Sequence, residues 1–452
     1  MPEKTARSGR ASSGRAIRPW LIAAVLAVIA ALIAAAFMTG RSDDIDDMAR
    51  RYVTLGLSFA QVEEGALDFY FGPDALRPDA EAEPASFDEL QADLRALKSE
   101  LAALPPTKRQ AHLLNLTDNL LVQVKAASDP RPVPLGEEAA RLYGLAIPDP
   151  DTEMLAGISA KLDELLPGAG PLAKRLAAYD AQFMIPPGRR KAVFAKALAL
   201  CRQRTADHWP LPDQKVPDKD AIETVWTDNA PAAWHRYLGA GRSRLEISLA
   251  AAATVGTALD LACHEGYPGH HAQFLLLTEG RELPVEDTIV LIHTPEQLLR
   301  EGAAEYGVAL ALSSPGAIAD LRDTLFPLAG LDPEKAAEYA EIHRLAGQMA
   351  AAGTPIIAAY IDGRMTFYDA ASALRDKALI ASPRALLTFV KTNRSYVLGY
   401  TAARELIAQC IETRALGRGD VGAQWALLRE IVATNDISAL QGKACAAASP
   451  HG

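Results

Sequence analysis

The clearest hydrophobic pattern in the chain is Leu90, Leu94, Leu97, Leu101 and Leu104, with mostly polar and charged residues between them. Spacings of three and four place these leucines along one stripe of an amphipathic helix. Ser86 and Glu89 form a capping-box pattern ahead of the stripe, and Pro105-Pro106 ends it. Further helical patterns run from Lys108 to Ala127 and from Arg190 to Arg204. Strand patterns are few. One covers Arg244 to Leu249, after the glycine-rich turn Gly239-Ala240-Gly241, and another covers Thr288 to Ile292. From Pro295 onward the chain reads mainly as helix. Proline and glycine clusters punctuate the stretch from Pro130 to Pro212, and no fixed-period repeat is present. The predicted class is mainly α with a small β-sheet. A soft boundary near Pro212 divides the chain into an N-terminal helical lobe, 42–212, and a lobe carrying the chemistry, 213–452.

A different pattern opens the chain. Lys4, Arg7, Arg10, Arg15 and Arg18 make a basic leader. An uncharged, mostly apolar run follows from Trp20 to Met38, with Arg41 after it. At about 1.5 Å per residue the run matches the hydrocarbon core of a bilayer. Residues 1–41 therefore read as a cytoplasmic basic tail and a single transmembrane helix, with the positive side kept inside. The rival reading is a signal peptide cleaved at Ala34-Ala35-Ala36. Either way the remaining chain is expected on the extracytoplasmic, periplasmic side of the cytoplasmic membrane.

Composition narrows the picture. The 452 residues are 49% hydrophobic and 23% charged, which excludes a disordered chain. The net charge is -10 and no basic cluster lies beyond the leader, so nucleic acid is not an expected partner. The four cysteines, Cys201, Cys263, Cys410 and Cys445, form no CxxC pair. A cysteine-type zinc site and a disulfide framework are both unexpected. A single bridge, for instance between Cys410 and Cys445, is compatible with the spacing but not deducible from it.

Three of the nine histidines fall within eight residues, in the segment His264-Glu265-Gly266-Tyr267-Pro268-Gly269-His270-His271. Neutral imidazoles ligate zinc, and a carboxylate beside one can act as base to a metal-activated water. His264 and His270 are six residues apart, which on an unbroken helix is roughly 120° out of register. Pro268 lacks an N–H for the carbonyl of residue 264 and its ring clashes there, while Gly269 tolerates unusual dihedrals. A kink or bulge at Pro268-Gly269 is expected to return His270 to the face of His264. His271 is the rival ligand. It lies nearly in register with His264 but roughly 10 Å further along the helix axis.

A third ligand is sought downstream. Thr294 reads as a helix N-cap, Pro295 as its first residue, and Gln297 as the partner that closes a capping box. Glu301 and Glu305 follow one turn apart on one face. Either can supply the ligand while the other orients a histidine.

HEGYPGHH followed by TPEQLLREGAAEYG resembles a bacterial domain-of-unknown-function family marked by H-E-x-x-P-G-H and a downstream E-G-W-A-like segment. That family is related to the gluzincin zinc metallopeptidases. The resemblance covers about residues 45–440 and is sharpest at 234–310 and near Ser395-Tyr396. It implies a two-lobed helical metallopeptidase-like domain, with the small sheet next to the zinc-binding helix. It also implies His264, His270 and Glu301 as ligands of Zn2+ and Glu265 as general base. The glutamate before glycine is the ligand in the related aminopeptidase pattern, which favours Glu301 over Glu305. One departure is Ala303, which stands where the family often has tryptophan.

The expected function is hydrolysis of a peptide substrate by metal-activated water. Glu265 takes the water proton and passes it to the leaving amine. Tyr396, in Arg394-Ser395-Tyr396-Val397-Leu398-Gly399-Tyr400, is the candidate oxyanion donor, and the family has a similar Ser-Tyr-x-x-Gly stretch. Tyr400 shares its helical face. Arg242 and Arg244 flank the strand and are candidate substrate-carboxylate binders. His271 and His293 are further substrate-contact candidates, whereas His112, His208, His235 and His343 read as structural. The alternatives are a zinc hydrolase of another amide or ester, or a non-catalytic membrane-tethered binding protein.

Overall fold

The structure, a computed structural model, describes residues 44–129, 131, 133–212, 221–227, 233–278, 282–314, 316–415, 420–437, 440 and 445. The expected membrane span and its basic leader lie outside the described residues. Among the described residues, no helix is long and apolar enough to cross a membrane. The fold is mainly helical with little sheet, the class the leucine spacing predicts.

Helices α1 (residues 44–62), α2 (Phe87–Ala103) and α3 (Lys108–Ser128) share one core. Leu90, Leu94, Leu97 and Leu101 of α2 are all buried, and both halves of the Ser86/Glu89 capping box are formed. Leu104 caps the helix instead of extending its stripe. The α2 leucines interlock with Tyr52 and Val53 of α1 and with Leu113, Leu120 and Val124 of α3. Strand β1 (Leu67–Tyr70) leaves this layer and pairs antiparallel with β5 (Ile289–Leu291), whose Ile289 and Leu291 join the same core.

The larger core begins at α4 (Leu135–Tyr143). It takes in α5 (Thr152–Leu165), α6 (Leu172–Asp180), α7 (Arg190–Ala206) and the helices that follow the sheet. Helices α4 to α7 therefore bury their apolar sides with the C-terminal half. The two cores divide between α3 and α4.

Strands β2 (Ala221–Thr227), β3 (Ala233–Gly239) and β4 (Arg242–Ser248) form a sheet in the order β2-β4-β3. Strand β2 runs parallel to β4, and β3 antiparallel. Gly239 pairs with Arg242 across a two-residue turn, in which Ala240 and Gly241 have φ of 51° and 75°. A tight hairpin of this kind needs left-handed backbone at both positions, which the glycine-rich turn supplies.

Helix α8 (Val255–Glu265) and helix α9 (His270–Thr278) pack against β3. Helix α10 (Pro295–Ser313) lies against both. Short helices α11 (Ala317–Asp320) and α12 (Phe326–Ala329) lead to α13 (Ala336–Met349), α14 (Gly353–Ile361), α15 (Phe367–Lys377) and α16 (Pro383–Asn393). Helices α17 (Ala402–Arg414) and α18 (Val421–Thr434) pack against α10, and α18 also meets α9. Gly302 allows that approach, because a Cβ there would come within 2.7 Å of the Ala403 backbone.

The Cys410–Cys445 bridge that the sequence allowed is present, and a second bridge corrects the expectation of a single one. All four cysteines are paired, as Cys201–Cys263 and Cys410–Cys445. The first pair was invisible in the spacing because it depends on α7 packing beside α8, which brings the two Cα atoms to 5.3 Å.

Candidate metal centre

The segment from His264 to His270 does not stay helical. Helix α8 stops at Glu265, and α9 starts at His270. Between them Gly269 N–H donates to the Cys263 carbonyl, and Ala272 N–H reaches back to the Gly266 carbonyl, each at 3.0 Å. The four-residue break removes the angular mismatch that an unbroken helix would impose. Both imidazoles then face one cavity, with ring centroids 4.8 Å apart.

The third member comes from α10. His270 Nε2 lies 3.2 Å from Glu301 Oε1, and His264 Nε2 lies 3.4 Å from Glu301 Oε2. One donor atom from each of the three residues can be chosen so that all lie within 4.8 Å of one another. Bonds of about 2.1 Å diverging near the tetrahedral angle would separate two donors by roughly 3.4 Å, so both measured spacings suit a small divalent ion. Glu301 Oε2 is buried and has no hydrogen-bond partner among the described residues. An orphaned buried carboxylate oxygen is costly unless something cationic meets it.

The electrostatics point the same way. Burial opposes the charge on Glu301, but the neighbouring His270 and the hydrogen bonds from both imidazoles hold its pKa well below the usual range. Burial also opposes charge on His264, yet Glu301 and Glu305 raise its pKa well above normal. The negative potential that holds a proton there is one in which a metal cation would also be held.

Glu305 contacts the other nitrogen of the His264 ring. Its Oε1 lies 3.2 Å from His264 Nδ1, which leaves Nε2 to face Glu301. The residue pattern alone left both glutamates open and the resemblance favoured Glu301, which is the one that clusters with the two imidazoles. Gln297 departs from its expected part. Thr294 caps α10 through Gln297 N–H, but the Gln297 side chain does not close the box. Its Nε2 instead donates to Glu301 Oε1 at 3.3 Å, Asp68 Oδ2 at 3.3 Å and Tyr396 OH at 3.4 Å.

Glu265 lines the same cavity, and burial raises its pKa. Tyr396 and Tyr400 line it too, on a 3-10 turn over Arg394–Gly399 and the residue after it, in place of the expected α-helix. Tyr396 OH donates to Glu301 Oε1 at 2.7 Å. Burial, then the nearby Glu301 charge, pushes both tyrosine pKa values well above 10. Gly399 permits the turn to sit here, because a Cβ would stand 2.5 Å from Glu301 Cβ.

Four expected substrate contacts are not among the residues lining this cavity. Arg242 is exposed, and Arg244 Nε donates to Glu223 Oε2 at 3.0 Å on the sheet surface. Both lie at the start of β4, the middle strand, while the cavity is reached from β3. His271 points to Ser243, with Nδ1 2.7 Å from its Oγ. The helical step of one residue from His270 turns it away from Glu301. His293 Nδ1 lies 3.2 Å from Tyr143 OH.

No family model matches the chain, and no curated protein matches it. Two solved structures align with it. One is described as a "putative lipoprotein" from Colwellia psychrerythraea, at 14% identity and a TM-score of 0.46. The alignment covers 80% of this chain but 65% of that one, so the chain spans just under two thirds of its length. The other is described as a "putative lipoprotein of unknown function" from Shewanella oneidensis, at 11% identity and a TM-score of 0.42, covering 76% and 72%.

Several residues of the cavity went unnoticed in the sequence. Asp68 accepts a hydrogen bond from Trp234 Nε1 at 2.6 Å, and burial raises its pKa to about 6. His235, read as structural, lines the cavity with its ring 5.7 Å from that of His270. Its Nε2 lies 2.8 Å from Ser243 Oγ, which also meets His271. None of these residues carries a motif.

Proposed function

We propose that the protein is a zinc-dependent hydrolase, a peptidase acting on extracytoplasmic peptides. The meeting of His264, His270 and Glu301 in a cavity that also holds Glu265 carries this reading. Two imidazoles and a carboxylate are a donor set of catalytic zinc, with a fourth position left for a reactant. When bound, such an ion supplies a Lewis acid for a carbonyl oxygen and makes a water more acidic.

The chain's own residues supply the rest. Glu265 accepts a proton from the attacking water and delivers it to the leaving nitrogen. The C–O bond forms, the C–N bond breaks, and a carboxylate and an amine result. The raised pKa of Glu265 makes it a better proton acceptor than an exposed glutamate. Tyr396 and Tyr400 keep their protons at neutral pH; Tyr396 donates to Glu301 at rest and would turn its hydroxyl to a developing oxyanion, with Tyr400 as the second donor. Glu305 fixes the His264 ring, and Gln297 and Tyr396 fix the Glu301 carboxylate. The resemblance to gluzincins supports the same roles. The basic leader and the apolar run from Trp20 to Met38 support a membrane-anchored domain on the periplasmic side.

Elemental analysis of the purified chain tests the reading, beside His264→Ala and His270→Ala. About one zinc per chain, lost in both variants, is the expected result. A wild-type chain that holds no metal after zinc is supplied would overturn it. Other amides and esters suit the same chemistry, and substrate profiling of the metal-loaded chain separates them from peptides.

A further inference from the structure

We infer that the cavity recognises the free N-terminal ammonium of its peptide substrate through Asp68, which makes the protein an aminopeptidase. This rests on the peptidase reading above and specifies its substrate.

The charge of the cavity comes first. Its lining contains the carboxylates of Asp68, Glu265 and Glu301, and no lysine or arginine. A divalent ion at the histidines balances Glu301 and Glu265, which leaves Asp68 as the surplus anion. A substrate's C-terminal carboxylate would be repelled by this lining, whereas a cationic end is matched. The arginines that the sequence offered for a carboxylate, Arg242 and Arg244, lie outside it.

Asp68 is also held as a receptor would be. Trp234 Nε1 donates to Oδ1 at 2.6 Å, and Gln297 Nε2 donates to Oδ2 at 3.3 Å. A carboxylate has about four acceptor sites, so two remain, and an ammonium brings donors for them. The buried Arg300 is occupied elsewhere. Its Nε donates to Gln297 Oε1 at 3.1 Å, and its Nη1 to Asn435 Oδ1 at 2.8 Å. Burial holds the Asp68 pKa near about 6, so at neutral pH the group is still mostly ionised and poorly solvated, and a bound ammonium would lower its pKa.

Position selects the bond. The N-terminal nitrogen of a peptide is two bonds from its first carbonyl carbon, so an ammonium receptor for single-residue removal must adjoin the reacting centre. The single Gln297 Nε2 bridges Asp68 Oδ2 and Glu301 Oε1, at 3.3 Å to each. The receptor and the metal-facing carboxylate are therefore neighbours.

The experiment uses the full chain loaded with zinc and three peptide libraries read by mass spectrometry. One has free N-termini and no lysine, one is N-acetylated without lysine, and one is N-acetylated with lysine at every position in turn. Stepwise loss of single residues from the free peptides, with little cleavage of either acetylated set, is expected. For Asp68→Asn, KM for free peptides is expected to rise roughly 10- to 100-fold with a smaller change in kcat, and Asp68→Glu to recover part of it. Equal cleavage of free and acetylated peptides overturns the inference and leaves the peptidase intact. Preference for the lysine set overturns it in favour of side-chain recognition. Cleavage of no library, with zinc bound, overturns both. The library contrast uses the wild-type chain, so it stands even where Asp68→Asn fails to fold.

Discussion

Gly269 lies so close to His264 that a Cβ on residue 269 would stand 1.6 Å from the His264 carbonyl oxygen. Helix α9 can start where it does because nothing but hydrogen occupies that place. Gly269→Ala is expected to push His270 out of reach of Glu301 and to cost at least about 2 kcal/mol of stability. Thermal unfolding and metal content check both halves. A variant with wild-type metal content would remove the close approach from the account of the site.

Glu301 and Glu305 both contact His264, but on different ring nitrogens. Glu301→Ala is expected to abolish tight metal binding. Glu305→Ala is expected to weaken it by roughly 10- to 100-fold, the usual effect of losing an orienting partner. Competition with a chromophoric chelator measures the two, and the reverse order would exchange their roles.

Glu265 lines the cavity without belonging to the donor set. Glu265→Gln is expected to keep the metal and lose about 100- to 10,000-fold in hydrolysis. Rapid turnover by that variant would assign the base elsewhere.

His112 gives a pH dependence remote from the metal. Burial opposes its charge, but the hydrogen bond to Asp287, the Asp287 charge, and the charges of Glu296 and Glu286 raise its pKa to about 9. A raised folded-state pKa stabilises fully below the unfolded value of 6.5, and the gain is lost as pH rises through about 9. Unfolding temperature measured from pH 6.5 to 9 is expected to fall more steeply in the wild type than in His112→Gln. Parallel curves would show that His112 carries no such charge.

The Cys201–Cys263 bridge ends one residue before His264. Replacing both cysteines by serine is expected to lower stability by about 2–4 kcal/mol, as loss of a bridge closing a long loop does. Denaturant unfolding checks this. A stability unchanged by the double substitution would mean that packing of α7 on α8 holds His264 without the bridge.

What the sequence disclosed depended on range. The α2 stripe, the Thr294 cap and the break at Pro268-Gly269 are local, and each follows from rules that act within a turn or two. His264, Glu265 and His270 were legible because one short segment carries them. Glu301 was narrowed to a pair with Glu305 and preferred through resemblance alone. Asp68, Trp234 and His235 reach the cavity from strands whose pairing no local pattern dictates. Tyr396 was named with the help of the resemblance and Tyr400 by a shared helical face, although the backbone here is a 3-10 turn. Arg242, Arg244, His271 and His293 were named for their chemistry, and none of them lines the cavity.

The β1–β5 pair bears on the order in which the chain is made. Leu67 has its strand partner in Leu291, so the segment holding Asp68 leaves the ribosome long before its partner exists. Helices α2 and α3 can zip up on arrival, but the wall they support must wait for β5 and for α10 behind it. A chain that ends between residues 271 and 300 thus holds His264 and His270 without Glu301 or a finished cavity. Completion of the candidate site is thereby deferred until most of the polypeptide has emerged.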